Sequence, residues 1–235
     1  MAPVTGNLCI IPARGGSKGI PRKNLRMIAG KPLVVWSIEQ ALASSMVDRV
    51  VVSTDSPEIA DVAARHGAEV PFLRPAELAT DSAPTEPAML HAVRHLQETD
   101  DYTPRSVLLL QPTCPIRKRG SIDRALRQFL DDGVESMVSV REIHPFLWRN
   151  EKAPHASYDI MNRPRRQDVS VAERLFEETG SIYITDTDLL LRTGNRLGGR
   201  IALFEMDAEE SWDVDSESDL VVVDILLQRL TRNDH

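Results

Sequence analysis

Short apolar strand segments alternate with amphipathic helical segments along most of the chain. Residues 8–11, "RVVVS" (49–53), "SVLLL" (106–110) and "SMVSV" (136–140) are typical of buried strands. Residues 31–44, residues 57–66 and the stretch "SIDRALRQFLDDG" have the spacing of helices with one buried face. Repeated strand-helix-strand units with wholly apolar strands predict an α/β fold, in which a Rossmann-like, mainly parallel sheet carries helices on both faces.

Two helix starts can be assigned from capping residues. Ser56 stands directly before Pro57, which favours an N-cap followed by proline at the first helical position. Ser216 and Asp219 have the spacing of a capping box, so we expect the last helix to begin near Ser216.

A glycine-rich, basic loop follows the first strand, in "CIIPARGGSKGIPRKN" (residues 9–24). Its glycines let backbone N–H groups approach phosphate oxygens, and its cations supply charge for a polyphosphate: Arg14, Lys18, Arg22 and Lys23. The string is not a Walker A loop, and its glycine spacing differs from the dinucleotide fingerprint G-x-G-x-x-G. A triphosphate site is therefore indicated, with a solvated basic loop as the alternative.

Charge and cysteine content restrict the class of protein. The net charge of −7 over 235 residues argues against nucleic acid as the main partner. Cys9 and Cys114 are far apart and form no C-x-x-C pair, which favours a reducing compartment. The first residues lack a leader pattern and no apolar run approaches the roughly 18 residues of a membrane span, so we expect a cytoplasmic protein without membrane contact.

Residues 141–179 interrupt the alternation. The segment contains three prolines and the cluster "RPRRQD", and a strand resumes only with "GSIYIT" at 180–185. Phe146, Leu147 and Trp148 have little local periodicity that would bury them, and exposed aromatic residues commonly mark an interface. We expect residues 1–140 and 180–235 to form one domain and 141–179 an inserted subdomain, with a long solvated loop as the alternative.

Seven stretches occur in a fixed order: "IIPARGGSKGIPRKNL", "VVSTDSPEIA", "LRPAELATDSAPT", "LLQPTCPIR", "RRQD", "GSIYI" and "WDVDSESDL". Together they resemble the acylneuraminate cytidylyltransferases, which join CMP to sialic acid and related nonulosonic acids. The resemblance covers nearly the whole chain and implies the fold of a nucleotide-diphospho-sugar transferase with a small dimerisation subdomain. It also implies a homodimer and a reaction in which CTP and a sugar acid give CMP-sugar and pyrophosphate with Mg²⁺, or with Mn²⁺ in its place.

The resemblance assigns roles to particular residues. It implies CTP contacts from a set of seven: Arg14, Ser17, Lys23, Asn24, Arg74, Asp81 and Thr85. It implies sugar-acid contacts from Gln111, Arg166, Gln167 and Tyr183, and a Mg²⁺-binding pair in Asp213 and Asp215. Five of these residues are expected to take part in catalysis: Arg14, Lys23, Gln111, Asp213 and Asp215.

Two positions depart from the family's pattern. Cys114 stands where the family usually has serine, and Thr179 stands in "TGSIYI" where the family usually reads "NGAIYI". We interpret Cys114 as a serine substitute rather than a nucleophile, since no histidine partner is evident. The missing asparagine leaves the identity of the sugar acid open.

The aspartate pair also suggests a metal site on its own chemistry. Residues two apart on an extended chain project to the same side, so Asp213 and Asp215 are expected to face one cavity. Mg²⁺ is commonly held by one or two carboxylates together with substrate phosphates. The alternative is that Asp215 only helps Ser216 to cap the last helix.

Three other functions remain open at this point. A cytidylyltransferase for the eight-carbon acid Kdo is the nearest alternative, although its first loop typically lacks "GGSKGIPRKN". An oxidoreductase is disfavoured by the glycine spacing, and a non-catalytic sugar-nucleotide-binding relative would share the same loop. Release of pyrophosphate from CTP separates the cytidylyltransferases from the other two.

Overall fold

The computed structural model describes residues 6–17, 19–168 and 170–233. The described residues form ten strands: β1 (Asn7–Pro12), β2 (Met27–Ile28), β3 (Lys31–Pro32), β4 (Arg49–Ser53), β5 (Ser106–Leu110), β6 (Ser136–Ile143), β7 (Trp148–Arg149), β8 (His155–Ala156), β9 (Leu175–Asp186) and β10 (Ile201–Glu205). They form six α-helices: α1 (Leu33–Leu42), α2 (Pro57–Arg65), α3 (Glu86–Asp100), α4 (Ser121–Asp132), α5 (Thr187–Thr193) and α6 (Glu217–Asn233).

The central sheet has six strands in the order β10-β6-β9-β5-β1-β4. Five strands run parallel, and β9 runs antiparallel between β5 and β6. The carboxyl ends of the five parallel strands therefore lie along one edge, together with the first residues of β9. Ligands of open α/β sheets bind at such an edge.

Side-chain alternation along the strands explains the two helical layers. In β1, Cys9 and Ile11 pack with α1, α2 and α4, whereas Leu8 and Ile10 pack with α3 and α5 on the opposite face. The α6 helix covers a third apolar cluster around Ile20. This arrangement confirms the predicted Rossmann-like α/β fold with helices on both faces of a mainly parallel sheet. No helix within the described residues is long and apolar enough to cross a membrane.

Both predicted helix starts are confirmed, and one other helix begins later than predicted. Ser56 Oγ accepts a hydrogen bond from the backbone N–H of Ile59 at the start of α2. Asp219 Oδ2 accepts from the backbone N–H of Ser216, whose hydroxyl oxygen accepts in turn from the N–H of Asp219. The helix predicted over 31–44 begins only at Leu33, because β2 and β3 form a hairpin just before it.

Two strands extend into the segment 141–179. β6 continues to Ile143 and β9 begins at Leu175, and these two residues are paired in the antiparallel ladder. The strand predicted at 180–185 is β9, which begins five residues earlier than its apolar residues indicated. Between the paired strands, the chain contains the β7–β8 hairpin and two short 3₁₀ turns.

Apart from the β2–β3 and β7–β8 hairpins, three elements had not been assigned from the sequence. They are α3, α5 and the edge strand β10. The buried residues of α3 have ordinary helical spacing: Ala88, Met89, Ala92, Val93 and Leu96. β10 does contain an apolar run, IALF, but three of its five side chains are exposed, unlike those of the inner strands.

Candidate active site

A cavity of about 390 Å³ lies at the carboxyl edge of the sheet, beside the glycine-rich loop. It is lined by nine of the residues predicted for the site: Arg14, Ser17, Lys23, Asn24, Arg74, Asp81, Thr85, Gln111 and Asp215. These residues come from five separate parts of the sequence. The carboxyl ends of β1, β4 and β5 bring them together, and we call this space the nucleotide-side cavity.

The glycine-rich loop is held at several points. The backbone N–H of Gly15 donates to Asp55 Oδ1 at 2.8 Å, and Asn24 Nδ2 donates to the carbonyl of Arg14 at 2.9 Å. Ile20 is fully buried in the cluster under α6. These contacts fix the loop against the sheet and distinguish it from the solvated basic loop considered above.

Two cations of the loop are paired with carboxylates in the cavity wall. Arg14 Nη2 lies 3.0 Å from Asp81 Oδ1, and Arg14 Nη1 donates to the carbonyl of Thr80. Lys23 Nζ donates to the carbonyl of Val214 at 2.7 Å and lies 3.2 Å from Asp215 Oδ1. These partly exposed pairs preorganise positive charge around the cavity, while each pair alone adds little stability.

Arg74 is a buried cation in the wall of the same cavity. Its Nε donates to Ser53 Oγ at 3.0 Å, and its Nη2 donates to the carbonyl of Ser53. Burial lowers the pKa of Arg74; the Asp55 carboxylate opposes this shift and the Arg14 charge adds to it. Arg74 therefore holds the end of β4 in place as well as lining the cavity.

A second cavity, of about 500 Å³, lies next to the first, and we call it the sugar-side cavity. Its lining includes one cation, four carboxylates and two aromatic residues: Arg141, Glu177, Glu178, Asp213, Asp219, Tyr183 and Trp212. Arg141 Nε donates to Glu177 Oε2 at 2.7 Å. Hydrogen-bond acceptors and donors thus surround this space, as a polyhydroxylated ligand requires.

Tyr183 is fixed on two sides. Its hydroxyl donates to Glu178 Oε2 at 2.9 Å, and the guanidinium of Arg196 lies 4.6 Å from the centre of its ring. Arg196 also pairs with Glu86 at 2.5 Å, next to Thr85 of the nucleotide-side cavity. Burial raises the pKa of Tyr183 to about 12, and the hydrogen bond to Glu178 adds to this shift. The phenol therefore stays protonated and able to donate a hydrogen bond.

Gln111 and Gly180 form the boundary between the two cavities. Gln111 lines the nucleotide side and Gly180 the sugar side. A Cβ atom on residue 180 would fall 2.7 Å from Gln111 Oε1 and 3.2 Å from Cys114 Sγ. The φ angle of Gly180 is +69°, so glycine is needed there both for backbone conformation and for space.

The two aspartates do not face a single cavity, contrary to the prediction from their spacing. Asp215 lines the nucleotide-side cavity and contacts Lys23, whereas Asp213 lines the sugar-side cavity. Asp213 Oδ1 lies 3.6 Å from the Cys114 thiol. Buried Val214 separates them, and both carboxylates are exposed to solvent. The pair thus lies at the junction of the two cavities.

Cys114 is fully buried and packs against this junction. Its thiol donates to the carbonyl of Thr179 at 3.1 Å. Burial raises the pKa of Cys114 to about 12, and the nearby Asp213 charge adds to this shift. A thiol held in its protonated form is a poor nucleophile, which supports its interpretation as a serine substitute.

Sequence comparison identifies the family. Residues 8–210 match the sequence profile of the family described as cytidylyltransferase. The chain belongs to the cytidylyltransferase family. It is 32% identical to a pseudaminic acid cytidylyltransferase of Campylobacter jejuni, over 94% of this chain and 95% of that enzyme. It is 47% identical to a CMP-N,N'-diacetyllegionaminic acid synthase of Legionella pneumophila, over 58% of each chain.

A solved structure shares the fold of this cytidylyltransferase. It is a CMP:2-keto-3-deoxy-manno-octonic acid synthetase complexed with CTP, with a TM-score of 0.72 and 21% sequence identity. The match covers 96% of this chain and 99% of the other. At this level of identity, the similarity establishes the architecture and not the substrate.

Two residues predicted for the sugar site, Arg166 and Gln167, lie in the inserted segment 141–179. The backbone of Arg166 begins a short 3₁₀ turn that includes Gln167, but the side chain of Arg166 is outside the described part of the chain, as is Lys18 of the basic loop. Gln167 is exposed and does not line either cavity. Their roles remain predictions.

Sequence reasoning missed three arginines that the structure places at or beside the site: Arg117, Arg141 and Arg196. Arg141 directly follows the apolar residues of "SMVSV", and this position at the end of an apolar strand segment, where ligands of open α/β sheets bind, is a signal that could have found it. Arg117 is the last residue of the motif "LLQPTCPIR", but the sequence alone indicated no function for it. The contact between Arg196 and Tyr183 has no signal in the sequence.

Proposed function

We propose that this cytidylyltransferase transfers CMP from CTP to the anomeric hydroxyl of a nonulosonic acid and releases pyrophosphate. The observation that carries this proposal is the junction of the two cavities at Gln111 and Gly180. One cavity is bordered by phosphate-binding chemistry, and the other by donors and acceptors suited to sugar hydroxyls, with Arg141 as the cation in its lining. Two substrates bound side by side would meet at this boundary.

The nucleotide-side cavity supports CTP as the donor. Arg14 and Lys23 supply charge from the glycine-rich loop, and Arg74 is a third cation in the lining of the cavity. Charge-assisted hydrogen bonds from arginine and lysine are the usual means of binding phosphates. Thr85, Asp81 and the residues around them lie on the side that we assign to cytosine.

The reaction needs alignment rather than a covalent enzyme intermediate. The anomeric oxygen forms a bond to the α-phosphorus of CTP, the bond to the β-phosphate oxygen breaks, and the hydroxyl proton passes to a base that we leave unassigned. Arg14 and Lys23 stabilise the charge that develops on the phosphates and on the leaving pyrophosphate. Gln111 and Tyr183 orient the sugar acid from the boundary and from the sugar-side cavity.

Asp213 and Asp215 would hold a Mg²⁺ ion. Their chemistry fits, because both are exposed oxygen donors at the junction of the cavities. No group of three or more histidine, cysteine or acidic residues in the described ranges is arranged to hold a metal, so the remaining ligands of such an ion would be substrate phosphates and water. A bound Mg²⁺, or Mn²⁺, would supply positive charge to the phosphates.

We also propose a homodimer assembled through the inserted segment 141–179. Met161 and Ile160 are 91% and 61% exposed, and Trp148 is 56% exposed. Such a concentration of exposed apolar side chains favours an interface. Arg166 and Gln167 would then contact the sugar acid, with the partner's site as one location. The two free, buried thiols favour a cytoplasmic location.

Pyrophosphate release from CTP with a panel of sugar acids tests this function. The panel contains sialic, legionaminic and pseudaminic acids together with Kdo, and ATP, GTP and UTP replace CTP in parallel reactions. We expect turnover with CTP and at least one nonulosonic acid. Preferred turnover of Kdo would favour the alternative enzyme, and CTP binding without pyrophosphate release would favour a non-catalytic relative.

A further inference from the structure

Arg117 is a buried cation that forms no ion pair within the described residues. Only 6% of the residue is exposed. Burial lowers the pKa of its guanidinium to about 10. A buried charge of this kind is costly to folding unless hydrogen bonds replace its water.

Four hydrogen bonds from three parts of the chain satisfy the two Nη groups of Arg117, whereas its buried Nε has no partner among the described residues. Arg117 Nη2 donates to the carbonyl of Ser181 at 2.8 Å and to that of Gln111 at 3.3 Å. Arg117 Nη1 donates to Gln40 Oε1 at 2.9 Å and to Ser37 Oγ at 3.2 Å, both on α1. The planar guanidinium can reach all four acceptors at once, which an ammonium group cannot do in the same geometry.

The position of these bonds relates Arg117 to the site. The antiparallel ladder between β5 and β9 ends with the pair Leu110 and Ile182. Gln111 and Ser181 are the next residue of each strand toward the cavities, and there Arg117 bridges their two carbonyls. Gly180, whose Cα lies against the Gln111 amide, follows directly.

We propose that Arg117 is a positioning residue. It connects the two strands by hydrogen bonds beyond the last backbone pair of the ladder, and so sets the distance between Gln111 and Gly180. This inference rests on the proposed function, in which the two substrates meet at that boundary. Arg117 lines neither of the two cavities, and the described contacts of Arg14, Lys23 and Arg74 do not include it. Its loss should therefore impair sugar-acid alignment much more than CTP binding.

The test compares Arg117→Lys and Arg117→Ala with the wild-type protein. Pyrophosphate release gives kcat and both KM values, and calorimetry gives the Kd for CTP. We expect kcat to fall about 10- to 100-fold, because a displacement of about 1 Å at a reacting centre has effects of that size. The KM for the sugar acid should rise, and the Kd for CTP should stay within about threefold of the wild-type value.

Arg49→Met is the matched control for lost stability. Arg49 is also a hydrogen-bonded arginine, paired with Glu69 and Asp100, but it begins β4 at the opposite edge of the sheet. The Arg49→Met substitution should lower the melting temperature, but it should not lower kcat at a temperature where the variant is folded. A loss of kcat in Arg49→Met as large as in Arg117→Lys would overturn the positioning role.

Guanidinium rescue adds a readout that a purely structural role would not move. An open cavity of about 380 Å³ is lined by Gln40, Arg117 and Trp36, and it provides a route for a small cation. Guanidinium chloride, well below its denaturing range, should restore part of the kcat of Arg117→Ala, whereas ammonium chloride should not. Equal responses to the two salts would contradict the proposal.

Hydrogen exchange decides the inference independently of activity. Amides of residues 111–114 and 179–182 should exchange faster in folded Arg117→Lys, and those of β1 and β4 should not change. Unchanged exchange at the boundary overturns the role of Arg117 even if the enzyme is active. Absence of pyrophosphate release from the wild-type protein overturns the proposed function instead, and the exchange result still stands.

Discussion

Gly180 lies against the side-chain amide of Gln111, so closely that a Cβ atom at residue 180 would be 2.7 Å from Gln111 Oε1. We predict that Gly180→Ala strongly reduces turnover, because the added methyl displaces the amide at the boundary of the two cavities. It should also destabilise the fold by about 1–2 kcal/mol, since the φ of +69° is unfavourable for a side chain. Steady-state kinetics and urea unfolding measure the two effects.

Gly194→Ala is the control for the backbone effect alone. Gly194 has a φ of +67°, and a Cβ there would come no closer than 4.0 Å to Leu90. Its unfolding free energy should fall by a similar amount while kcat stays unchanged. Equal kinetic losses in the two variants would show that backbone strain, and not the contact with Gln111, limits turnover.

Arg14→Ala should weaken the use of CTP. Removal of a charge-assisted phosphate contact has a cost of roughly 1.5–3 kcal/mol, which corresponds to a loss of about 10- to 150-fold in kcat/KM. The comparison is Arg26→Ala, which removes an exposed arginine paired with Glu217 at 3.0 Å and outside the nucleotide-side cavity. If Arg26→Ala loses as much activity, the effect reflects the general charge of the loop.

The aspartate pair leads to a prediction about metal dependence. Activity should disappear with a chelator and return with Mg²⁺ or Mn²⁺, and Asp213→Asn and Asp215→Asn should each raise the Mg²⁺ concentration needed for half-maximal rate. Asp207→Asn is the control. Asp207 lies a few residues before Asp213 in the chain and pairs with Lys118, but it lines neither cavity. Wild-type rates at low Mg²⁺ in both variants would exclude the pair as metal ligands.

One part of the nucleotide-side cavity could be predicted from strand pattern alone, because the glycine-rich loop directly follows β1, whereas its other residues were assigned through the family resemblance. Arg14 and Gln111 stand just beyond apolar strands, and the carboxyl ends of parallel strands share one edge. The sugar-side cavity was harder to predict from the sequence. β9 inserts between β5 and β6 although it follows β6 by about thirty residues, and this pairing places Gly180 beside Gln111. No local pattern encodes so distant a contact.

The separation of Asp213 from Asp215 also depends on contacts that sequence spacing does not show. Lys23 donates to the carbonyl of Val214 and draws Asp215 toward the nucleotide side. Cys114 contacts Asp213 from the sugar side. Alternation along an extended chain predicted that both side chains project to the same side. Lys23 and Cys114, which are distant in sequence, instead determine which cavity each aspartate lines.

The buried thiols predict a loss of stability at alkaline pH. Burial raises the pKa of Cys9 and Cys114 to about 12, against about 8.5 for an unfolded thiol. Above pH 8.5 or so, the unfolded chain loses protons that the folded chain retains, so the free energy of unfolding falls as the pH rises. Urea titrations from about pH 8 to 10 should show this slope. It should be smaller in Cys114→Ser, and an unchanged slope in that variant would contradict the assignment.

Met161 is the most direct probe of the proposed dimer interface. It is 91% exposed within the inserted segment, so Met161→Asp places a charge on the surface that we assign to self-association without disturbing packing in the chain. We expect a dimer in the wild-type protein, and a dissociation constant raised about tenfold or more in the variant, because an unpaired charge at the centre of an apolar interface is costly. Sedimentation velocity over a range of protein concentrations measures this shift. Val221→Asp is the matched control, since Val221 is 62% exposed on α6, outside the segment. A monomeric wild-type protein, or equal dissociation by the two variants, would rule out assembly through residues 141–179.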